Sequence, residues 1–221
     1  MPYLLIETST ERGMVALMEG NEILFHEELP YGYNNSKYLL PQINNALDIN
    51  KIQANHLNFI AAGIGPGSYT GIRVGAVTAM TMAYAATLPL VGISTLKCFV
   101  PTAHGSFAVL IDAKISGAYY IIGSSTPEGI IYDSDPAVDS LEVIKPKLHD
   151  IDVIVTPNDQ SLKGKVDINL PWEVVSPSPE HMGRQALNLF NRGEYSKNAT
   201  LDLQYLRKTQ AEIEREENSG V

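Results

Sequence analysis

The chain is short of the residues that usually announce chemistry. Its one cysteine, Cys98, has no second thiol to pair with, so an internal disulfide is excluded and a reducing compartment fits. With no His or Cys beside it, Cys98 reads as a buried thiol rather than a nucleophile. The five histidines (His26, His56, His104, His149 and His181) are far apart. They give no His-x-x-x-His pair and have no cysteine pair to complete a metal site, so each reads as a surface or turn residue. No Gly-Lys-Ser/Thr follows the glycine-rich segment, which excludes a P-loop. The nearest approach to a nucleophile elbow, Gly67-Ser68-Tyr69-Thr70-Gly71, has its serine one position too early between the glycines. Positive charge is also scarce: 16 Lys and Arg stand against 25 Asp and Glu, for a net charge of −9. That balance argues against a broad basic face through which this chain alone would hold nucleic acid. The first residues, Met1 to Glu7, lack a basic region and a long apolar run, so no signal peptide is expected. Charge is missing altogether from Val74 to Leu96. That length could in principle span a bilayer. The segment is, however, rich in Ala and Thr, is broken by Pro89 and ends in a strand-like Leu90 to Ile93, so a buried helix followed by a strand is expected.

Glycine is concentrated where charge is not. Gly63, Gly65, Gly67, Gly71 and Gly75, with Pro66, join the apolar run Phe59 to Ala62 to the uncharged segment. Such density marks a tight strand-to-helix turn. Ser68 or Thr70 can cap the helix that follows. Gly71 and Gly75 then fall in its first turns, where each costs about 1 kcal/mol relative to alanine. A chain that keeps them there needs another backbone close by. Three readings compete for this loop. A dinucleotide fingerprint is weak, since the spacing is imperfect, Pro66 removes an amide and no acidic residue follows at the expected distance. A phosphate cradle of the P-loop kind is excluded. A tight turn with close helix packing and no ligand remains.

Hydrophobic spacing organises the rest as alternating strands and helices. Tyr3 to Glu7 is a strand, and Met14 to Met18 with Glu22 to Leu29 forms a hairpin turned at Glu19-Gly20-Asn21. Leu39, Ile43, Ala46 and Leu47 have helical spacing within Ser36 to Leu47; with Ser36 as cap, Pro41 requires a later start or a kink. The strand near Phe59 to Ala62, the helix to about Ala86 and the strand Leu90 to Ile93 complete a β-β-β-α-β-α-β order. The second half reads as strands Phe107 to Ile111, Ala118 to Ile122 and Gly129 to Tyr132, a helix Val138 to Leu148, a strand Ile151 to Val155, a loop-rich Pro157 to Ser178 and an amphipathic helix Pro179 to Arg192. Residues 1–100 are expected to form one lobe, 101–207 a smaller α/β lobe and 208–221 a charged, frayed tail. Glu7 and Asp112 each end a strand, where α/β sheets bind ligands, and a metal or phosphate role would need them to converge.

The helix after the glycine loop shows two stripes of small residues. Ala76, Ala79, Ala83 and Ala86 make one; Gly71, Gly75, Thr78 and Met82 make another, roughly 100° round. After Arg73 there is no charged face for water, so either the second half of the chain or a partner protein covers it; Tyr84 and Met80 suit an interface.

The motifs Glu7-Thr8-Ser9-Thr10, Asn35-Ser36-x-x-Leu39-Leu40-Pro41-x-Ile43, Gly63-x-Gly65-Pro66-Gly67-Ser68-Tyr69-Thr70-Gly71-Ile72-Arg73-x-Gly75, Pro89-Leu90-Val91-Gly92-Ile93-Ser94, Asp112-Ala113-Lys114 and Tyr205-Leu206-Arg207 occur in this order. Together they resemble the TsaB (YeaZ) family, non-catalytic subunits of the bacterial machinery that makes threonylcarbamoyladenosine in tRNA. The resemblance implies an α/β, actin-like ATPase (ASKHA, ribonuclease H-like) fold of two related lobes, the second reduced. It implies no catalytic residue, metal or cofactor in this chain and a cytoplasmic location. Its partners would be a catalytic TsaD-like protein, a TsaE-like ATPase in the assembled complex, a second copy of itself when alone, and tRNA only through the complex, with no membrane. It further implies a partner surface on the two helices of the first half, for which Tyr38, Gln42, Gly71, Arg73, Gly75, Thr78 and Met82 are the candidates. Gly65, Pro66, Gly67 and Ser68 would be a structural loop, and Glu7, Thr8 and Ser9 the remnant of a nucleotide loop. Glu7 stands where the family has Asp, and its extra methylene argues against ATP binding. The rival readings are an enzyme of the same fold, metallopeptidase-like or a small-molecule kinase, and a regulatory homodimer.

Overall fold

The computed structural model describes residues 1–32, 34–114, 117–166 and 168–206. The expected tail 208–221 and Arg207 lie outside them. The chain begins with three antiparallel strands, β1 (Pro2–Glu7), β2 (Met14–Glu19) and β3 (Glu22–Glu28). Helix α1 (Asn35–Ile49), β4 (Ile60–Gly63), α2 (Tyr69–Ala86) and β5 (Leu90–Ile93) follow, with β4 and β5 parallel to β1. The sheet order is β3-β2-β1-β4-β5. The second half supplies β6 (Gly105–Asp112), β7 (Ala118–Thr126), β8 (Gly129–Tyr132), β9 (Ala137–Asp139), the short α3 (Leu141–Ile144), β10 (Val153–Thr156), β11 (Trp172–Val174) and α4 (Pro179–Asn191). Its sheet runs β11-β10-β6-β7-β8, with β9 paired to β7.

Read from the other edge, the second sheet has the strand order of the first: third, second, first, fourth, fifth. The crossovers differ. Where the first sheet has α1 and α2, of 15 and 18 residues, the second has the four-residue α3 and a loop before β11. The chain is thus a two-lobed α/β arrangement with matching strand orders and a reduced second lobe.

Alternation along β1 divides the core. Leu4 and Ile6 face α1 and α2, whereas Tyr3 and Leu5 face the second sheet. Between the sheets lies α4, whose Met182 and Ala186 pack with Phe59 of the first lobe and Phe107, Val109 and Ile121 of the second. Tyr3, Phe59, Phe190 and Tyr195 stack in one column, with successive centroids 4.5, 4.5 and 5.1 Å apart. After α4 the chain returns along β5, where Ser196 pairs with Leu90 and the Gln204 N–H donates to Ile64 O at 2.8 Å. Beneath the outer face of the second sheet, Leu110, Tyr120 and Ile154 pack with Ile144, Leu148 and Leu162. Among the described residues no helix is long and apolar enough to cross a membrane.

Four local expectations need correction. Helix α1 starts at Asn35, with Asn34 in the cap position and Ser36 inside the helix, so Pro41 stands in its interior. Pro41 and Lys37 both lie on the exposed side, where solvent can take the carbonyl that a proline leaves free. The expected helix Val138 to Leu148 divides: Val138 pairs with Tyr119 in β9, Ser140 is extended, and only Leu141–Ile144 is α-helical before a 3-10 turn at Lys145–Leu148. The loop 157–178 contains β11, parallel to β10. His181 is buried rather than at the surface.

Candidate functional site

The glycine loop and the loop after β1 are built into each other. Glu7, Thr8 and Ser9 are buried. An added Cβ at Gly63 would lie 1.9 Å from Glu7 Oε2, at Gly67 2.3 Å from Ser9 O, at Gly71 2.3 Å from Thr8 O, and at Gly75 2.4 Å from Thr8 Oγ1. Each of these glycines makes room for part of the chain's own strand-end loop. Gly65, at φ +96° and followed by a cis bond to Pro66, turns the chain beneath Ile72 and Gln204. Hydrogen bonds lock the same contact. The Ser68 N–H donates to Ser9 O at 2.7 Å, and the Thr8 hydroxyl donates to Gly71 O at 2.7 Å. Ser68 also caps α2, its hydroxyl accepting from the Gly71 N–H at 3.3 Å. The close backbone that Gly71 calls for is therefore that of Thr8, whereas Gly75 faces the Thr8 side chain.

Glu7 is wholly enclosed by this arrangement. Its Oε1 accepts from the Ser9 N–H at 2.5 Å, and its Oε2 lies 3.0 Å from Thr95 Oγ1 and 3.7 Å from Cys98 Sγ. Thr95 Oγ1 in turn accepts from the Gly65 N–H at 3.1 Å and lies 2.9 Å from Ser9 Oγ. Burial raises the Glu7 carboxyl above its ordinary pKa of 4.5, only partly opposed by the bonds from Ser9, Thr95 and Cys98. The Cys98 thiol is pushed up by burial first and by Glu7 second. A carboxyl so enclosed is a structural member of the loop junction. The sequence offered no signal for Thr95 and Cys98 as its partners, which stand 88 and 91 positions further on.

Asp112, at the corresponding end of β6, has different company. Its Oδ1 accepts from the Lys114 N–H at 2.7 Å, and its Oδ2 is 3.6 Å from Lys114 Nζ and 3.5 Å from Lys165 Nζ. Among the described residues Glu7 and Asp112 share no partner, and no group of acidic, His or Cys side chains is placed to hold a metal ion. A crevice of about 280 Å³ lies where the loops after β1 and β10 meet, and Arg12 spans it, donating from Nε to Pro157 O at 2.7 Å. Asn35 ties α1 to the same region through its amide, which donates to Thr8 O at 3.2 Å and Thr10 O at 3.3 Å.

The two helices resting on this junction carry the remaining candidates. On α2, Gly71, Ile72, Gly75, Ala76, Ala79 and Ala83 are buried against the sheet. Gly71 and Gly75 thus sit beneath the outer surface of α2, where they fix the depth at which the helix seats. Thr78 and Met82 flank the buried face and are half-buried, as are Tyr38 and Gln42 on α1. The Thr78 hydroxyl donates back to Val74 O at 2.8 Å. The face turned outward is Thr70, Arg73, Val77, Thr81 and Tyr84, with Val77 58% and Tyr84 79% exposed. Leu40 on α1 is also exposed. Val77 and Leu40 were not singled out in the sequence, although Val77 follows from the spacing Arg73, Val77, Tyr84. Arg73 is held by its own chain: its guanidinium lies 3.9 Å from the Tyr69 ring, and its Nε donates to the Tyr205 hydroxyl at 3.0 Å.

Comparison with known proteins gives relatives in sequence and in fold. The family described as "TsaD: tRNA N6-adenosine threonylcarbamoyltransferase" matches residues 33–142. The tRNA threonylcarbamoyladenosine biosynthesis protein TsaB of Escherichia coli (strain K12) is 29% identical over 217 residues, covering 88% of this chain and 89% of that protein. The protein of the same name from Haemophilus influenzae is 36% identical over 125 residues, 54% of this chain and 52% of its own. Among solved structures, a Pseudomonas aeruginosa protein described by its similarity to peptidase YEAZ superposes with a TM-score of 0.78 at 22% identity, covering 93% of this chain and 99% of its own. YeaZ from the same organism gives 0.74 at 20% identity, covering 91% and 100%; both share the fold. The chain is thus similar in sequence, over most of its length, to the TsaB protein of Escherichia coli and shares its fold with the two Pseudomonas aeruginosa structures.

Proposed function

We propose that this chain is a non-catalytic scaffold and activating subunit. It pairs with a catalytic TsaD-like protein for threonylcarbamoyl transfer to N6 of the adenosine next to the anticodon in tRNA. The observation that carries this reading is the fate of the glycine loop, whose Gly63, Gly67, Gly71 and Gly75 are taken up against Glu7, Thr8 and Ser9 rather than facing a ligand. The junction instead seats α2 so that an apolar, nearly uncharged face looks outward from the lobe of residues 1–100. Val77 and Tyr84 form its centre, with half-buried Thr78 and Met82 on α2 and half-buried Tyr38 and Gln42 on α1 as further candidates. The names of the curated relatives, biosynthesis proteins for the same modified nucleoside, support the same role. Alone, the chain pairs with a second copy through this face. In the complex a TsaE-like ATPase joins, tRNA is met through the assembly, and the location is the cytoplasm.

Co-purification with the TsaD-like protein of the same organism tests the reading. The wild-type chain is retained, while Val77→Glu and Tyr84→Glu lose most of the binding without a change in melting temperature, since both side chains are exposed. Undiminished binding by the folded variants rejects the face. ATP hydrolysis or peptide cleavage by the isolated chain reverses the reading in favour of an enzyme.

A further inference from the structure

We infer that Arg73 is a pre-organised pin for a carboxylate of the protein that covers α2, held in place by Tyr69 and by Tyr205 from the returning end of the chain. The inference rests on the docking role proposed above and concerns the chemistry of the partner. Arg73 is the single charged residue of α2. Its guanidinium lies 3.9 Å from the centre of the Tyr69 ring and 5.8 Å from that of Tyr205, and the two rings are 5.1 Å apart. The Nε proton is spent on the Tyr205 hydroxyl at 3.0 Å. Both tyrosines stabilise the cation, and neither neutralises it. Among the described residues no carboxylate pairs with Arg73, whose hydrogen-bonding company is the hydroxyl groups of Tyr205 and Tyr69, and the side chain is exposed.

Covering this face removes water from the guanidinium. A desolvated cation without a counter-charge strongly opposes binding, so a partner that buries the face must bring an anion to it. The free edge of a guanidinium whose Nε is already engaged presents two parallel donors, which match the two oxygens of one Asp or Glu. Stacking on the Tyr69 ring and the bond to the Tyr205 hydroxyl remove most of the rotamer freedom that such a contact would otherwise cost. Tyr205 belongs to the segment that returns after α4. The docking face is therefore composite: α2 supplies the cation and one ring, and the end of the described chain supplies the other.

Titration of the full chain against the TsaD-like protein of the same organism tests the pin. Arg73→Gln weakens binding by about 30-fold or more, chiefly through faster dissociation, and Arg73→Glu weakens it further. Tyr205→Phe, which keeps the ring and loses the acceptor, costs only a few-fold. In the Arg73→Glu background, changing the partner's acidic surface residues to Lys one at a time restores binding at one position, which a merely structural role for Arg73 does not produce. Binding of Arg73→Glu within about twofold of the wild type, with unchanged melting, overturns the pin while leaving the docking partner intact. A wild-type chain that does not bind overturns both.

Discussion

The depth at which α2 seats is set by one hydroxyl, and that can be tested by a pair of substitutions. An alanine Cβ at position 75 would lie 2.4 Å from Thr8 Oγ1 but 3.5 Å from Ile6 Cγ2 and 3.6 Å from Thr8 Cβ. Only the hydroxyl stands in its way, and that hydroxyl donates to Gly71 O at 2.7 Å. Gly75→Ala gains about 1 kcal/mol of helix propensity. Against this stand about 1–3 kcal/mol of overpacking and about 0.5–1.5 kcal/mol for the displaced hydrogen bond. The net loss is about 1–3 kcal/mol, read in urea unfolding by circular dichroism, with a fall in melting temperature of about 2–4 °C per kcal/mol. Thr8→Ala alone costs about 1 kcal/mol. In the double variant the obstruction is gone and the helix gain remains, so it is as stable as Thr8→Ala or more so, with a coupling of about 1–3 kcal/mol. Gly71→Ala is the control. Its Cβ meets the Thr8 carbonyl at 2.3 Å, which is backbone, and Thr8→Ala does not rescue it. Gly75→Ala and Thr8→Ala adding to within about 0.5 kcal/mol would refute the account of the seat.

Two buried titratable groups give pH-dependent predictions. Burial raises the Glu7 carboxyl, so the folded chain holds a proton there that the unfolded chain has released, and the stability it contributes is lost as pH climbs from about 4.5 through the raised value. Glu7→Gln, which keeps the acceptor for the Ser9 N–H, is therefore increasingly stable relative to wild type over that range in denaturant titrations at successive pH values; a difference independent of pH contradicts the assignment. His181, with Nε2 2.9 Å from the Tyr132 hydroxyl, is lowered to about 4 chiefly by burial. Its contribution is present above the unfolded value of about 6.5 and is lost as pH falls through about 4, to a total of about 3 kcal/mol. His181→Gln flattens the stability profile between those limits, and an unchanged profile contradicts a neutral, buried imidazole.

The first lobe was largely legible because its signals are local. The alternation in Tyr3 to Glu7, the turn at Gly20 and the spacing of Leu39, Ile43 and Ala46 all act over a few residues, and β1, the β2–β3 hairpin and the core face of α1 follow from them. Gly71 correctly called for a close backbone, but that this backbone is residue 8, 63 positions earlier, is a tertiary fact, as is the Thr8 side chain against Gly75. Gly71 and Gly75 are buried for the same reason. Val138, Leu141 and Ile144 have helical spacing, yet Val138 is claimed by pairing with Tyr119, which no local pattern reveals. Glu7 resembled any solvated strand end until Thr95 and Cys98 closed over it. Strand β11 is three residues long, too short for alternation to register.

The most direct test of the central claim is reconstitution of the transfer reaction with the TsaD-like protein of the same organism and its other components, with this chain present or withheld. Threonylcarbamoyladenosine in tRNA should form when the wild-type chain is added, fall to near the level without it when Val77→Glu replaces it, and be absent with this chain alone. Equal formation whether the chain is present or withheld would contradict the account.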